Sequence, residues 1–168
     1  MARASLFQAA AGGDQSALAA LRDEFLTQAN LAAEGASHYA APACDLMLCA
    51  ELMARMAANS AEATSFDRFI LASVLLMRSG SCRTVPALET YADVMEEEGR
   101  CILNTLLANA PDFTPGVAWL LQSLADAGDE WAATALEQLV DALPADEAAA
   151  VAADVAEVMR DRKDRQEA

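Results

Sequence analysis

The sequence predicts an all-α fold, and three observations lead to that prediction. Alanine supplies 41 of the 168 residues, and it has the highest helix propensity of any residue. Valine, isoleucine and threonine, which favour strands, number only 17. Apolar residues also recur at spacings of three and four almost throughout the chain, as they do on one face of a helix.

The length fits one compact domain, and no Pro-, Ser- or Gly-rich linker divides the chain. We therefore expect a single helical domain over residues 1–168. It should contain about eight helices with short connections, so that neighbouring helices form antiparallel pairs. The highly charged end, about 161–168, is expected to fray.

Each predicted helix has an apolar face. In chain order these faces are formed by Leu18, Leu21, Phe25 and Ala29; by Leu46, Cys49, Met53 and Met56; by the run 69–77; by Leu88, Tyr91 and Met95; by Ile102, Leu103, Leu106 and Leu107; by Val117, Leu120, Leu121 and Leu124; by Leu136, Leu139, Val140 and Leu143; and by Val151, Val155, Val158 and Met159. The run 69–77 is apolar on most sides, which indicates the most buried helix. Asp45, Glu51 and Arg55 are expected to point away from the apolar face of their helix.

Glycine, proline and hydroxyl residues mark the expected helix boundaries. Gly80 is expected to end one helix, and the Thr-Val-Pro sequence at 84–86 to begin the next. Thr114 is expected to cap a helix that has Pro115 at its first position. Pro144 is expected to begin the last helix.

One pattern, Ala-x-x-Gly-Asp-x-x-Ala-x-x-x-Leu, occurs twice. The two copies consist of Ala10, Gly13, Asp14, Ala17 and Leu21, and of Ala125, Gly128, Asp129, Ala132 and Leu136. A glycine at this point ends a helix with a left-handed residue, and the aspartate after it caps the next helix. The alanines let the two helices approach closely. The pattern therefore predicts two helix pairs with the same turn.

This pattern resembles the Sel1-like repeat, a relative of the tetratricopeptide repeat. A third segment, residues 75–99, is similar through Gly80, Ala87, Leu88, Tyr91 and Gly99. The resemblance implies antiparallel helix pairs stacked as an α/α superhelix, and it implies adaptor or scaffold roles in the assembly of complexes. The glycines between the two clear copies do not follow a constant period, so a non-repeat helical bundle is the alternative.

The chain is strongly acidic, with a formal net charge of −15. Such a chain repels nucleic-acid phosphates, so no nucleic-acid partner is expected. The acidic residues form an ordinary solvated surface, or alternatively an acidic face for a basic partner or a DNA mimic. The carboxylate pairs at helical spacing, Asp93 with Glu97 and Glu147 with Asp154, are interpreted as solvated faces.

The four cysteines lack a metal-binding or redox spacing. Cys44, Cys49, Cys82 and Cys101 are interpreted as small apolar residues in a reducing compartment. The first residues have an apolar run too short for a signal peptide, and the longest apolar stretch, 69–77, is too short for a membrane span. We therefore expect a cytoplasmic protein without a membrane partner.

The residue types that enzymes and metal sites require are scarce. His38 is the only histidine, and its surroundings indicate a loop with no ligand or triad partner at a useful spacing. No phosphate-binding glycine loop or nucleophile elbow is present. We expect no catalytic residue, no cofactor and no metal.

Trp131 is the one residue that the sequence assigns to partner binding. It stands directly before Ala132, where the repeat pattern has a polar residue, and an exposed aromatic side chain at that position would suit an interface. The alternative is that Trp131 packs on the last helix, near Val151 or Val155. Trp119 is expected in the core. Met47, Met53 and Met56 fit either the core or an adaptable binding groove.

Four functions compete at this point. The first is a non-catalytic adaptor or scaffold that binds a protein or peptide, and the alternative to it is an acidic inhibitor, or immunity-type protein, that blocks a basic partner. An enzyme is disfavoured by the missing residue types. The fourth is a homodimer formed through an apolar helix face.

Overall fold

The computed structural model describes residues 3–33, 41–83 and 85–166. His38 and Thr84 lie outside these ranges, so the structure does not address the predictions made for them. The eight α-helices of the described ranges are α1 (Arg3–Ala11), α2 (Gln15–Ala33), α3 (Ala41–Ala58), α4 (Ser65–Arg83), α5 (Glu89–Asn109), α6 (Thr114–Asp126), α7 (Glu130–Ala142) and α8 (Ala145–Gln166). Short 3₁₀ turns, Pro86–Leu88 and Pro111–Phe113, precede α5 and α6.

The all-α prediction is confirmed, since the described ranges contain helices and turns and no strand. The chain forms two compact units, Met1–Leu106 and Leu107–Ala168. We call them unit 1 and unit 2 and describe each by itself. The helical backbone of α8 continues through residues 161–166, the segment in which the sequence predicts fraying.

Unit 1 is built on α2 and α3, which pack against each other. Helix α1 covers α2, and α4 packs on α3. Ala29 of α2, Met47 of α3 and Val74 of α4 meet in one cluster. Leucine and phenylalanine side chains of α2 meet small side chains of α3 in one cluster, and α3, α4 and α5 share a second cluster around Leu75 and Met95. The run 69–77 is indeed deeply placed, with residues 71–76 all buried.

The buried face of α3 differs from the predicted one. Met47, Ala50, Ala54 and Ala57 are its most buried apolar residues. Leu46, Cys49 and Met53 are only partly buried, and Met56 is exposed. Small alanine side chains face the neighbouring helices because they allow close packing, so the larger residues lie to the side. Glu51, which the sequence places away from the core, is buried at 1% exposure.

The two copies of the repeated pattern form the same turn. In the first, Gly13 has a φ of 88°, its N–H donates to the Ala10 carbonyl, and the Asp14 N–H donates to Ala9. In the second copy, the Gly128 N–H donates to the Ala125 carbonyl, and the Asp129 N–H donates to the Leu124 carbonyl. Gly128 has a φ of 95°. This is the Schellman arrangement that ends a helix at a left-handed glycine.

The aspartate after each glycine begins the next helix. The Asp14 carboxylate accepts from the Ala17 N–H at 2.9 Å, and the Asp129 carboxylate accepts from the Ala132 N–H at 3.0 Å. The Ala17 bond and the hydroxyl of Ser16 lower the pKa of Asp14. The local prediction of a glycine cap followed by an aspartate cap is thereby confirmed.

Three boundary predictions are wrong. Gly80 lies inside α4, which continues to Arg83, and Gly99 lies inside α5. The segment 75–99 therefore lacks the turns that the repeat pattern would need at those glycines. Thr114 is the first residue of α6 and does not cap it, because the N-cap position belongs to Phe113.

Gly99 has a packing role in place of a turn role. A Cβ atom at this position would lie 2.8 Å from Cγ of Leu76 and 3.3 Å from the Ala72 carbonyl oxygen. Glycine thus allows α5 to cross α4 at close range. Gly80 has no atom within 4 Å of the equivalent position and faces open space.

Unit 2 has α6 at its centre, in contact with both α7 and α8. Val117, Ala118, Leu120 and Leu121 are the buried residues of α6. Ala118 joins Val151 and Val155 of α8 in a cluster that Trp119, Leu136, Leu139 and Leu143 complete. Within the described ranges, no helix has the length and apolar character needed to cross a bilayer.

Candidate functional site

A group of charged side chains joins α3, α4 and α5 in unit 1. The buried Glu51 carboxylate accepts from Arg55 Nε at 2.7 Å and also from Arg78 Nη1. Arg55 then donates two parallel bonds to Glu98 on α5, at 2.6 and 2.8 Å. The Arg78 guanidinium lies 5.6 Å from the ring centre of Tyr91, whose hydroxyl is 3.4 Å from Glu51.

We call this group the Glu51 network, and its hydrogen bonds hold its members in a fixed geometry. The hydrogen bond to Glu98 raises the pKa of Arg55 above its usual value, so Arg55 stays protonated. Two guanidinium groups neutralise Glu51, and the bidentate pairing of Arg55 with Glu98 constrains its orientation. The geometry suits a rigid connection between helices better than proton transfer.

A second buried charge lies at the start of α4. Arg22 of α2 is 1% exposed and pairs with Asp23 at 2.8 Å and with Asp67 at 3.3 Å. The Thr64 N–H donates to the Asp67 carboxylate at 3.0 Å, and the Asp67 N–H donates to the Thr64 hydroxyl at 3.2 Å. These reciprocal bonds form a capping box.

The surroundings of Asp67 determine its protonation. Burial alone would raise the pKa of Asp67, but the hydroxyl and N–H of Thr64, the Gln15 side chain and Arg22 together lower it below its usual value. Asp67 therefore remains ionised at neutral pH. Like Glu51, it serves a structural contact between helices.

Three exposed apolar side chains form a line along α3. Leu48 is 39% exposed, Leu52 49% and Met56 45%. Because they are spaced by four residues, they lie one above another on the helix surface. We call them the α3 row. On the same helix, Ala50, Ala54 and Ala57 are fully buried.

The Glu51 network fixes the neighbourhood of the α3 row. In the sequence of α3, Glu51 precedes Leu52 and Arg55 precedes Met56. Glu51 binds Tyr91 of α5, and Arg55 binds Glu98 of α5. Tyr91 and Val94 of α5 are themselves 41% and 54% exposed. Two adjacent helices of unit 1 therefore present large apolar side chains to solvent.

Unit 2 contains a groove of about 380 Å³ between α6, α7 and α8. Its apolar lining consists of Leu136, Val140, Val151, Ala152, Val155 and Ala156. Gln122 and Asp126 of α6 form its polar side and are hydrogen-bonded to each other at 2.8 Å.

Unit 2 is also where the charge of the chain is least balanced. Unit 2, residues 107–168, contains thirteen carboxylates against four basic residues. All four basic residues lie at 160–165, so residues 107–159 contain ten carboxylates and no lysine, arginine or histidine. Residues 1–106, by contrast, contain seven arginines against thirteen carboxylates. The predicted solvated pairs, Asp93 with Glu97 and Glu147 with Asp154, are all exposed.

The predicted partner-binding residue, Trp131, lies in the first turn of α7, two residues after the Asp129 cap, and is partly buried. Its role in binding stays a prediction. Trp119 is partly buried against the cluster of unit 2, and its Nε1 atom is buried without a hydrogen-bond partner among the described residues. Of the methionines considered for a groove, Met47 is buried, Met53 is partly buried and only Met56 is exposed.

The cysteines follow the prediction in part. Cys82 is buried and Cys49 is partly buried, in keeping with small apolar residues. Cys101 is exposed, because it lies on the outer side of α5, so that prediction was wrong. The side chain of Cys44 lies outside the described part. No group of three or more histidine, cysteine or carboxylate side chains suited to a metal occurs among the described residues.

The surfaces that sequence reasoning missed are the α3 row and the groove of unit 2. The α3 row had a signal, because Ala50, Ala54 and Ala57 follow helical spacing and define a buried face that leaves Leu48 and Leu52 outside. No sequence pattern predicts the groove, because it arises from the packing of three helices. Comparison with family models, with curated proteins and with solved structures finds no match for this chain.

Proposed function

We propose that this chain is a non-catalytic protein–protein interaction module, an adaptor or scaffold built from Sel1-like helix pairs and acting in the cytoplasm. The observation that carries the proposal is the α3 row. Three large apolar side chains lie in line on the surface of α3 while alanines occupy the buried face of that helix. Contiguous exposed apolar patches mark sites of interaction.

The energetics of the α3 row favour a partner. Burying a leucine or methionine side chain stabilises by about 1.5–3 kcal/mol, so covering the half-exposed side chains of the row gives about 1 kcal/mol each. The Glu51 network holds α3 against α4 and α5. The row is therefore ordered before binding, and little further entropy is lost when a partner covers it.

Site-specific photo-crosslinking tests the proposal. A photoreactive phenylalanine analogue replaces Leu52 in one variant and Met77, an equally exposed residue on α4, in the control variant. We expect a discrete crosslinked protein from the cytosol of the source cells with the probe at 52 and not at 77. A crosslink to a second copy of the chain would indicate a homodimer instead. No crosslink specific to position 52 would contradict the proposal.

The acidic inhibitor of a basic partner is the second candidate, and the charge of residues 107–159 favours it. The two candidates differ in their response to salt, because ion pairs between exposed groups are screened and apolar contacts are not. Capture at low and at high salt, with wild type and with Trp131→Ala, separates them. An adaptor keeps its partner at high salt, and it loses that partner in the variant only where Trp131 takes part in the binding. An inhibitor loses its partner at high salt and is indifferent to the variant.

A further inference from the structure

The groove of unit 2 combines an apolar floor with an acidic border. Leu136 and Val140 line it from α7, and Val151 and Val155 line it from α8. Each pair is spaced by four residues, so each forms a ridge along its helix. The volume of about 380 Å³ is within the range of sites that take several apolar groups.

Carboxylates stand next to the lining residues on both helices. Glu137 follows Leu136, and Asp141 follows Val140 on α7. Asp154 precedes Val155, and Glu157 follows Ala156 on α8. All four carboxylates are exposed. The nearest basic residue in the sequence is Arg160, three residues after Glu157, and residues 107–159 contain none.

We propose that the groove binds a basic amphipathic helix of a partner protein. The apolar face of such a helix, with anchors at i, i+3, i+4 and i+7, fits between two helical ridges. Lysine or arginine residues on its flanks meet the acidic border, which fixes orientation and accelerates association. Ala152 and Ala156 leave room for the backbone of the bound helix to approach α8.

The inference rests on the proposed protein-binding role but not on the α3 row, so the two can fail separately. The charge of the border argues against anionic occupants, because ten carboxylates repel phosphates and acidic peptides. A neutral apolar molecule would also fit the floor. It would be insensitive to the border charges, and this difference is part of the test.

The probe is a synthetic helical peptide with leucines at the anchor positions and lysine or arginine on its flanks. A peptide of the same composition in scrambled order is its control. Both lack tryptophan, so the fluorescence of the protein reports binding. Trp119 and Trp131 are the only tryptophans and both belong to unit 2. Trp119 contacts the cluster that contains Val151 and Val155, which line the groove.

Two variants of the full-length chain test the floor and the border. Ala152→Phe fills the groove, and Ala150→Phe adds the same side chain at an exposed position that does not line it. Glu137→Gln with Glu157→Gln neutralises the border, and Glu62→Gln with Glu97→Gln removes two exposed charges from unit 1. Circular dichroism checks that each variant keeps the helical content of wild type.

We expect the amphipathic peptide to bind wild type more tightly than the scrambled one. Ala152→Phe should weaken binding at least tenfold while Ala150→Phe leaves it unchanged. Neutralising the border should weaken binding about two- to tenfold at low salt, and the unit 1 control should not. Equal binding of both peptides, or binding unaffected by Ala152→Phe, would overturn the proposal. If Ala152→Phe abolishes binding and neutralisation of the border leaves it unchanged, the groove binds a neutral ligand. That result would overturn the proposal of a basic partner.

Discussion

Glu51 joins three helices through one carboxylate, and its own position is on α3. Replacing one member of a buried ion pair leaves its partner uncompensated, which commonly costs about 3–5 kcal/mol. For Glu51→Gln we expect a loss of stability at the lower end of this range, because Arg55 keeps its bonds to Glu98 and Arg78 retains some contact with solvent.

We therefore expect Glu51→Gln to lower the free energy of unfolding by about 3 kcal/mol. Urea unfolding followed by far-ultraviolet circular dichroism measures the change. Glu62→Gln is the control, since Glu62 is exposed and surface substitutions usually change stability by less than about 0.5 kcal/mol. Equal stability of the two variants would show that Glu51 does not support the packing of α3.

Asp67 makes a stability contribution that depends on pH. Its folded-state pKa is lowered from the usual value of 3.8, so between the two pKa values the unfolded chain binds more protons than the folded one. The contribution of Asp67 is therefore complete above about pH 4 and is lost as the pH falls through the lower, folded-state pKa.

The prediction is a difference between wild type and Asp67→Asn. The variant should be less stable than wild type at pH 7, and the gap should narrow as the pH falls below about 4. Urea unfolding at pH 7, 5, 4 and 3 measures it. A gap that stays constant down to pH 3 would show that ionised Asp67 does not stabilise the start of α4.

Single residues also show where sequence reasoning was limited. Glu51 looks like a surface residue because its partner, Arg78, is distant in the sequence and only the fold brings them together. Leu48 and Leu52 are exposed although their hydrophobicity favours burial. Alanine is only weakly hydrophobic, so it does not mark a buried face clearly in the sequence. Yet Ala50, Ala54 and Ala57 form the face of α3 that packs against the neighbouring helices.

At the scale of helices and turns, the sequence predicted features that depend on local hydrogen bonds but not those that depend on the packing of distant helices. The repeated Gly-Asp turn was predicted correctly because its hydrogen bonds connect residues within a few positions of each other. Gly80 and Gly99 were both expected at turns, yet both lie within helices. A glycine can end a helix or admit a neighbour, and only the packing of α5 on α4 distinguishes these roles.

These two glycines give a matched pair of substitutions. Gly99→Ala places a Cβ against Leu76 and Ala72, so we expect a loss of about 1–3 kcal/mol from overpacking. Gly80→Ala enters open space in the helix interior, where alanine should stabilise by about 0.5–1 kcal/mol. Thermal and urea unfolding measure both changes. Changes of the same sign would contradict the close crossing of α4 and α5.

At the scale of the whole molecule, the two units differ in the surfaces that they offer. Unit 1 carries the α3 row and balances many of its carboxylates with arginines. In unit 2 the stretch 107–159 has no basic residue, and its acidic groove suits a partner of opposite charge. The net charge was evident in the sequence, but its concentration around a groove depends on how α6, α7 and α8 pack.

The central claim is that the α3 row binds a protein. Affinity capture from cytosol, quantified by mass spectrometry, tests it with two double variants. Leu52→Ser with Met56→Ser removes two members of the row. Met77→Ser with Val85→Ser removes two apolar side chains of similar exposure elsewhere in unit 1.

Losing two half-exposed apolar contacts should cost about 2 kcal/mol of binding free energy, which is about a 30-fold loss of affinity. We therefore expect one protein to be captured by wild type and by the Met77/Val85 variant and to be depleted with the Leu52/Met56 variant. Capture of the same proteins in equal amounts by all three would contradict the account.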